Sequence, residues 1–355
     1  MTTAAHRDQP AIAEAESRAV AVSIVIVNWN SVQFVKQAIT SIRRWVSGVD
    51  YEIIVVDGGS HDGCGEVMAA EFPGVVFVQC RDNIGFGRAN NLGAESARGR
   101  HLLLLNPDTE LRENSVLTLV RRLESLPRAG AVGCRLLNAD GSLQTSCVQS
   151  FPTIFNQAMD AEFLRRRFPR WKLWGTEALL ASDSQPWEVE AVSGACILVR
   201  KEIFDKVRGF SPCYFLYGED LDLCFKIRQA GYAVYHDPQT SLVHFGGGCT
   251  GRSAGDFSNV MMRESVYRFL RRNRGVVTAI GYRAALAVAS LVRLVSILPL
   301  LLVSRHRVVR HGTGSLAKWG AILRWCVGLE HRVVAQAGAA LVKPAGCPAA
   351  TASRS

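Results

Sequence analysis

Ile53-Ile54-Val55-Val56-Asp57-Gly58-Gly59-Ser60 and Leu102-Leu103-Leu104-Leu105-Asn106-Pro107-Asp108 share one plan: four consecutive apolar residues, then an acid at or just past the end of the run. Unbroken apolar runs of that length mark strands buried on both faces, as in a parallel sheet between helices. In an open parallel sheet the ligand lies beyond the carboxyl ends of the strands, so Asp57 and Asp108 are expected to face one crevice. Working outward, 22–27 is another apolar strand. It turns through Asn28-Trp29-Asn30-Ser31 into a helix where Val32, Val35, Ile39, Ile42 and Val46 recur at helical spacing. A short helix after Asp62, a strand at 75–78, a helix over 86–97 and, past Asp108, a helix over 115–126 continue the alternation, which predicts a doubly wound α/β sheet.

Beyond the alternating part, Ala131-Val132-Gly133-Cys134-Arg135-Leu136-Leu137 reads as a strand before the turn Asn138-Ala139-Asp140-Gly141, where a hairpin is expected. From Phe151 to Trp187 periodicity is lost, and RRRFPRWKLW interleaves arginines with aromatics; this insertion is expected to vary with substrate. Regular structure returns with the strand in 191–200, a helix opening on Glu219-Asp220-Leu221-Asp222, and a strand near 232–235. The implied division is a tail over 1–20 without order, a main domain over 21–258, a basic helical region over 259–345 and a second such tail over 346–355.

The chain has 355 residues and a formal charge of +10. That charge is concentrated: residues 261–355 carry 15 Lys and Arg against two acids, whereas the first 260 are slightly acidic. This distribution argues against nucleic acid as the partner. The basic region also holds the longest apolar stretch, 275–303, interrupted by Arg283 and Arg293. It is expected to lie in or on an anionic bilayer surface with its arginines at the headgroups, the alternatives being helices packed on the main domain with solvated arginines, or a span that tolerates them. Ten cysteines show no metal-like spacing and read as small core residues of a reducing compartment. The first 20 residues have no apolar core of a signal peptide. The expected location is cytoplasmic, peripheral to the inner face of a membrane.

Several residues suit chemistry at the crevice. Asp108, after Asn106-Pro107, can hold a divalent cation, Mg²⁺ or Mn²⁺, that bridges phosphate oxygens, although Pro and Asp also end strands. Asp57 can accept hydrogen bonds from a base or ribose, although Asp-Gly-Gly is also turn chemistry. Asp220 can serve as a general base, with Glu219 the near competitor, although acids are favoured at any helix start. His244 can complete a metal shell or donate to a diphosphate. Asn83-Ile84-Gly85-Phe86-Gly87 lacks the third glycine of a dinucleotide fingerprint and follows the third strand, which disfavours a dehydrogenase.

In order, SIVIVNWNS, VVDGGSHDG, NIGFGRANNLG, LLNPDTEL, LLNADGSLQTS, VSGACILVRKEIF, FLYGEDLDLCFKIRQAGY and VHFGGG resemble the family 2 glycosyltransferases of GT-A fold, especially rhamnosyltransferase-like members of the WbbL type. The resemblance implies an inverting, metal-dependent transfer from a nucleoside-diphosphate sugar, best matched to dTDP-L-rhamnose, onto a glycan carried by a polyprenyl diphosphate in bacterial cell-surface polysaccharide synthesis. It implies donor contacts from Val27, Asn28 and Asn30, from Asp57 and Ser60, from Asn83, Gly85 and Asn91, and from Asn106 and Asp108. It implies a metal at Asp108 and His244, and Asp220 or Glu219 as catalytic base. Gly58 stands where the family often has Asn, and Ser211-Pro212 where it often has Asp-Glu. Rival readings are a UDP-hexose donor in exopolysaccharide synthesis and a non-catalytic, membrane-tethered nucleotide-sugar-binding subunit. A sugar nucleotidyltransferase is disfavoured, because NWNSVQF replaces the Gly-rich, Arg-containing loop it would need after the first strand.

Overall fold

The computed structural model describes residues 20–159, 185–246, 256–303 and 307–331, together with parts of 168–179 and 333–339. The expectations for the two tails, most of the Arg/aromatic insertion and Gly247-Gly248 lie outside the described residues.

Strands β1 (Val22–Asn28), β2 (Tyr51–Asp57), β3 (Val76–Gln79) and β4 (His101–Leu105) are parallel neighbours in the order β3-β2-β1-β4. Helices α1 (Val32–Trp45), α2 (Cys64–Glu71) and α3 (Phe86–Glu95) connect them. All seven residues of β1 are buried, which means that both faces of the strand are covered. α3 sits close on β1 and β2 because Gly93 faces them: a Cβ there would stand 2.5 Å from Val25 and 3.1 Å from Val56.

The sheet continues through β10 (Cys196–Arg200), antiparallel to β4, then β6 (Ala129–Leu137), β11 (Ala233–His244) and the short β5 (Thr109–Glu110). β8 (Trp187–Val189) also pairs with β11, completing a nine-stranded mixed sheet. A two-stranded sheet joins β7 (Val148–Gln149) to β9 (Ala191–Val192). The turn after β6 closes as a minimal hairpin, with an antiparallel bridge from Leu137 to Leu143 flanked by Asn138 N–H to Ser142 O and Gln144 N–H to Leu136 O. Helix α4 (Ser115–Ser125) is capped by Asn114, whose side chain accepts from Leu117 N–H. The short helices α5 (Ile154–Ala158) and α6 (Lys201–Lys206) precede α7 (Glu219–Gln229), which starts at the crevice. Among the described residues the eight cysteines are free thiols, six of them buried.

The basic region folds as α8 (Asp256–Arg274), α9 (Val276–Val303) and α10 (Arg307–Cys326), packed on one another, with α9 also against α5. Here the expectation is corrected. Arg283 and Arg293 do not divide the apolar stretch, which forms one helix of 28 residues. Neither do they reach for headgroups: Arg283 donates to Trp325 O (2.6 Å) and lies over its ring, while Arg293 donates to Ala158 O (2.9 Å) and lies 4.3 Å from the Trp319 ring centroid. Each guanidinium thus has a backbone carbonyl and an aromatic face as partners within the fold.

Candidate active site

Parallel register puts Asn28 beside Asp57, and Asp57 beside Gln79, at the carboxyl ends of β1, β2 and β3. The Asp57 carboxylate is buried and largely engaged. Oδ1 accepts from Asn28 Nδ2 (2.7 Å), and Oδ2 accepts from Ser60 N–H (2.9 Å) and Gln79 Nε2 (2.6 Å). One lone-pair direction of Oδ1 is left for an incoming donor group. Asn30, at φ 51°, accepts from His61 N–H and its own N–H donates to Ser60 Oγ, which locks the two rim turns together. Val27, one residue deeper in β1, lies in the sheet opposite Val56. Asp62, missed in the sequence reading, accepts from Asn28 Nδ2, from Val32 N–H at the start of α1 and from Cys64 N–H at the start of α2. Its position two residues before the start of α2 was the available signal; the contact with the start of α1 is supplied by the fold. Asp57, Ser60, His61 and Gln79 border a pocket of about 700 Å³, and Trp29 is 39% exposed on the turn beside it.

At the next strand, Asn106 N–H donates to Ala195 O (3.0 Å), tying the end of β4 to the start of β10. Asp108 and His244, remote in sequence, meet because β5 pairs with the end of β11: His244 Nε2 lies 3.3 Å from Asp108 Oδ1 and 3.4 Å from Asn106 Nδ2. Nitrogen and carboxylate oxygen at that separation suit a shared cation. Among the described residues no three His, Cys, Asp or Glu converge. Asp108 and His244 are the residues that could hold a divalent cation such as Mg²⁺ or Mn²⁺ here.

Across Ser193-Gly194-Ala195 stands the α7 start. Asp220 Oδ2 accepts from Gly194 N–H (2.9 Å) and Gln149 Nε2 (3.3 Å), and Oδ1 accepts from Leu221 N–H (2.8 Å). Burial raises its pKa above the usual Asp range, and these three donors oppose that shift. Glu219 is buried, and its Oε2 has no hydrogen-bond partner. Burial first, and the Asp220 charge second, push its carboxyl up to about 8. Asp222 points elsewhere: Ser211 Oγ (2.5 Å), Tyr214 OH (3.2 Å) and Asn273 Nδ2 (3.3 Å) all donate to it, so it fastens α8 to the main body. Ser211, one of the departures from the family pattern, has its partner here.

The remaining candidates separate. Asn83 caps its own turn, accepting from Gly85 N–H (2.9 Å). Gly85, at φ 86°, is where a Cβ would stand 2.5 Å from Phe215 O. Asn91 exchanges two hydrogen bonds of 2.8 Å with the Phe210 backbone, directing its amide to the loop before α7 and not to the crevice.

Residues 23–208, more than half of the chain, match the family described as Glycosyl transferase family 2. The chain belongs to that family. This family 2 glycosyltransferase is 30% identical over 213 residues to the N-acetylglucosaminyl-diphospho-decaprenol L-rhamnosyltransferase of Mycobacterium tuberculosis H37Rv, covering 56% of this chain and 68% of that one. It is 26% identical over 170 residues to the rhamnosyltransferase WbbL of Escherichia coli K12, covering 45% and 61%. In structure it is similar to the mannosyltransferase PcManGT of Pyrobaculum calidifontis, solved with GDP-Man and Mn²⁺, with a TM-score of 0.54 at 16% identity over 87% of this chain and 88% of that one. The family 2 glycosyltransferase thus has the GT-A fold, with a helical C-terminal region.

Proposed function

We propose that this glycosyltransferase moves L-rhamnose from dTDP-L-rhamnose, with inversion, onto a glycan carried by a polyprenyl diphosphate. The observation that carries the reading is the convergence of Asp57, the Asp108–His244 pair and Asp220 along the carboxyl edge of β2-β1-β4 and the start of β10, in a chain related to rhamnosyltransferases. Asp57, set by Asn28, Ser60 and Gln79, receives the nucleoside. Asn106, Asp108 and His244 face the diphosphate. A bound divalent cation would supply charge neutralisation for the leaving diphosphate.

Asp220 is assigned as base because the two adjacent carboxyls differ in environment. Burial and the neighbouring Asp220 charge hold the Glu219 carboxyl near 8, whereas the hydrogen bonds that Asp220 accepts from Gly194, Leu221 and Gln149 favour its charged form against the upward pull of burial. The carboxylate takes the acceptor hydroxyl proton as that oxygen attacks the anomeric carbon, and the diphosphate departs from the opposite face. The acceptor's lipid places the enzyme on the anionic inner face of the plasma membrane. Support for that placement comes from α9, which exposes Val277 (85%), Val288 (64%) and Val295 (58%), within a segment, 265–329, that has eleven Lys and Arg and no acid.

The test is a binding titration with dTDP-rhamnose, UDP-glucose, UDP-galactose, UDP-N-acetylglucosamine and GDP-mannose, with and without Mn²⁺. Metal-dependent preference for dTDP-rhamnose is expected. Preference for a UDP-hexose would discard the rhamnose assignment, and failure of all five would discard the transferase reading.

A further inference from the structure

The motif Leu136-Leu137-Asn138-Ala139-Asp140-Gly141-Ser142-Leu143-Gln144 has no part in the reaction as described, yet its last residue reaches His244. Gln144 Nε2 donates to the His244 backbone carbonyl (2.6 Å) and to Asn138 Oδ1 (2.8 Å), and Gln144 Oε1 lies 2.9 Å from His244 Nδ1. A carbonyl oxygen can only accept, so the amide nitrogen must face it and the amide oxygen must face the ring. Nδ1 therefore carries a hydrogen. In the neutral ring the lone pair is then on Nε2, the atom 3.3 Å from Asp108 Oδ1 and 3.4 Å from Asn106 Nδ2.

We infer that Gln144 is a positioning residue that keeps the hydrogen on Nδ1 of His244, so that in the neutral ring Nε2 is the atom left, beside the Asp108 carboxylate, to share a divalent cation with it. The tight turn supports this role. Asn138 N–H donates to Ser142 O and Gln144 N–H to Leu136 O, both at 2.8 Å, so the backbone that carries Gln144 is tied to the end of β6. β6 in turn pairs with β11, the strand that ends on His244. Gln144 is thus braced on the same strand pair as the ring it orients, and outer partners of this kind tune both ring orientation and ligand basicity. The inference rests on the metal reading above only for its consequence; the tautomer is a property of the metal-free protein.

The experiment has two arms on the full chain. Long-range ¹H–¹⁵N NMR of the metal-free protein reads the His244 tautomer, assigned by loss of its signals in His244→Ala. The Nδ1–H form is expected, and the Nε2–H form would overturn the proposal without any variant at Gln144. In the second arm, Mn²⁺ binding is followed by electron paramagnetic resonance in the presence of dTDP. Gln144→Leu is expected to weaken it about 10- to 100-fold, with partial recovery in Gln144→Glu, which restores an acceptor for Nδ1–H. Wild-type affinity and an unchanged tautomer in Gln144→Leu would overturn the assignment. A wild-type protein with no Mn²⁺ affinity would instead refute the metal reading, and the tautomer would decide the role of Gln144 by itself.

Discussion

Glu219 and Asp220 are adjacent in sequence, yet the fold treats them differently. Asp220 receives three hydrogen bonds, whereas Glu219 is buried with one oxygen unpartnered. Because the folded protein holds the Glu219 proton more tightly than the unfolded chain, its contribution to stability is fully present below the unfolded value of 4.5 and is lost as pH rises through about 8. Thermal unfolding of wild type should therefore lose more stability than Glu219→Gln on moving from about pH 5 to about pH 8.5; parallel curves would show that Glu219 is not held protonated. At Asp108 the expectation is simpler. Asp108→Ala should abolish metal-dependent donor binding, read by titrating dTDP-rhamnose with and without Mn²⁺, and normal binding would remove Asp108 from the cation site. Asp57 was legible in the sequence as an acid ending a strand, but its role is narrower than expected, since the protein itself occupies most of its accepting capacity. Gln79 and Gln149 were not legible, and Gln144 was legible only as a member of the LLNADGSLQTS motif with no role, because these glutamines act through partners that only folding supplies.

Among the elements, β1, β2 and β4 were readable because buried strands give unbroken apolar runs, whereas β3, only partly buried, was readable from its short run of β-branched and aromatic residues. β11 was readable only at its start. Its pattern is broken by Asp237-Pro238-Gln239, where the register against β6 slips between Asp237 and Ser241, and the strand survives because Arg122 pairs with the buried Asp237 at 2.8 Å. Helix α9 departs from expectation for the opposite reason: arginine in an apolar stretch points to a surface, whereas tertiary contacts with Trp325, Ala158 and Trp319 turn both arginines inward. That correction leaves the outward side of α9 apolar at Val277, Ile280, Val288, Leu291 and Val295. Replacing Val277, Val288 and Val295 together by Asp should release the protein from phosphatidylglycerol vesicles in flotation, with slow donor hydrolysis unchanged. Undiminished binding would show that α9 is not the membrane face.

At the scale of the whole molecule, the basic helices are built onto the catalytic body. Asn273 donates to Asp222, Arg268 to Cys213 O and Ser265 to Leu216 O, so α8 grips the loop that leads into α7 and Asp220. Asp222→Ala would strand Ser211, Tyr214 and Asn273 without their acceptor, and a loss of about 2–3 kcal/mol in denaturant unfolding is expected. A change below about 0.5 kcal/mol would show that the link is dispensable. This coupling fastens the C-terminal region to the loop that leads into α7.

The most direct measurement is the single-turnover rate of sugar transfer from dTDP-L-rhamnose to a short-chain polyprenyl-diphosphate N-acetylglucosamine acceptor, for wild type and Asp220→Asn with Mn²⁺ present. Removing a general base while leaving the donor site intact should slow transfer by about 10²- to 10⁴-fold with donor affinity unchanged. A variant that transfers at the wild-type rate would contradict Asp220 as the base and move that role to another carboxylate, Glu219 first.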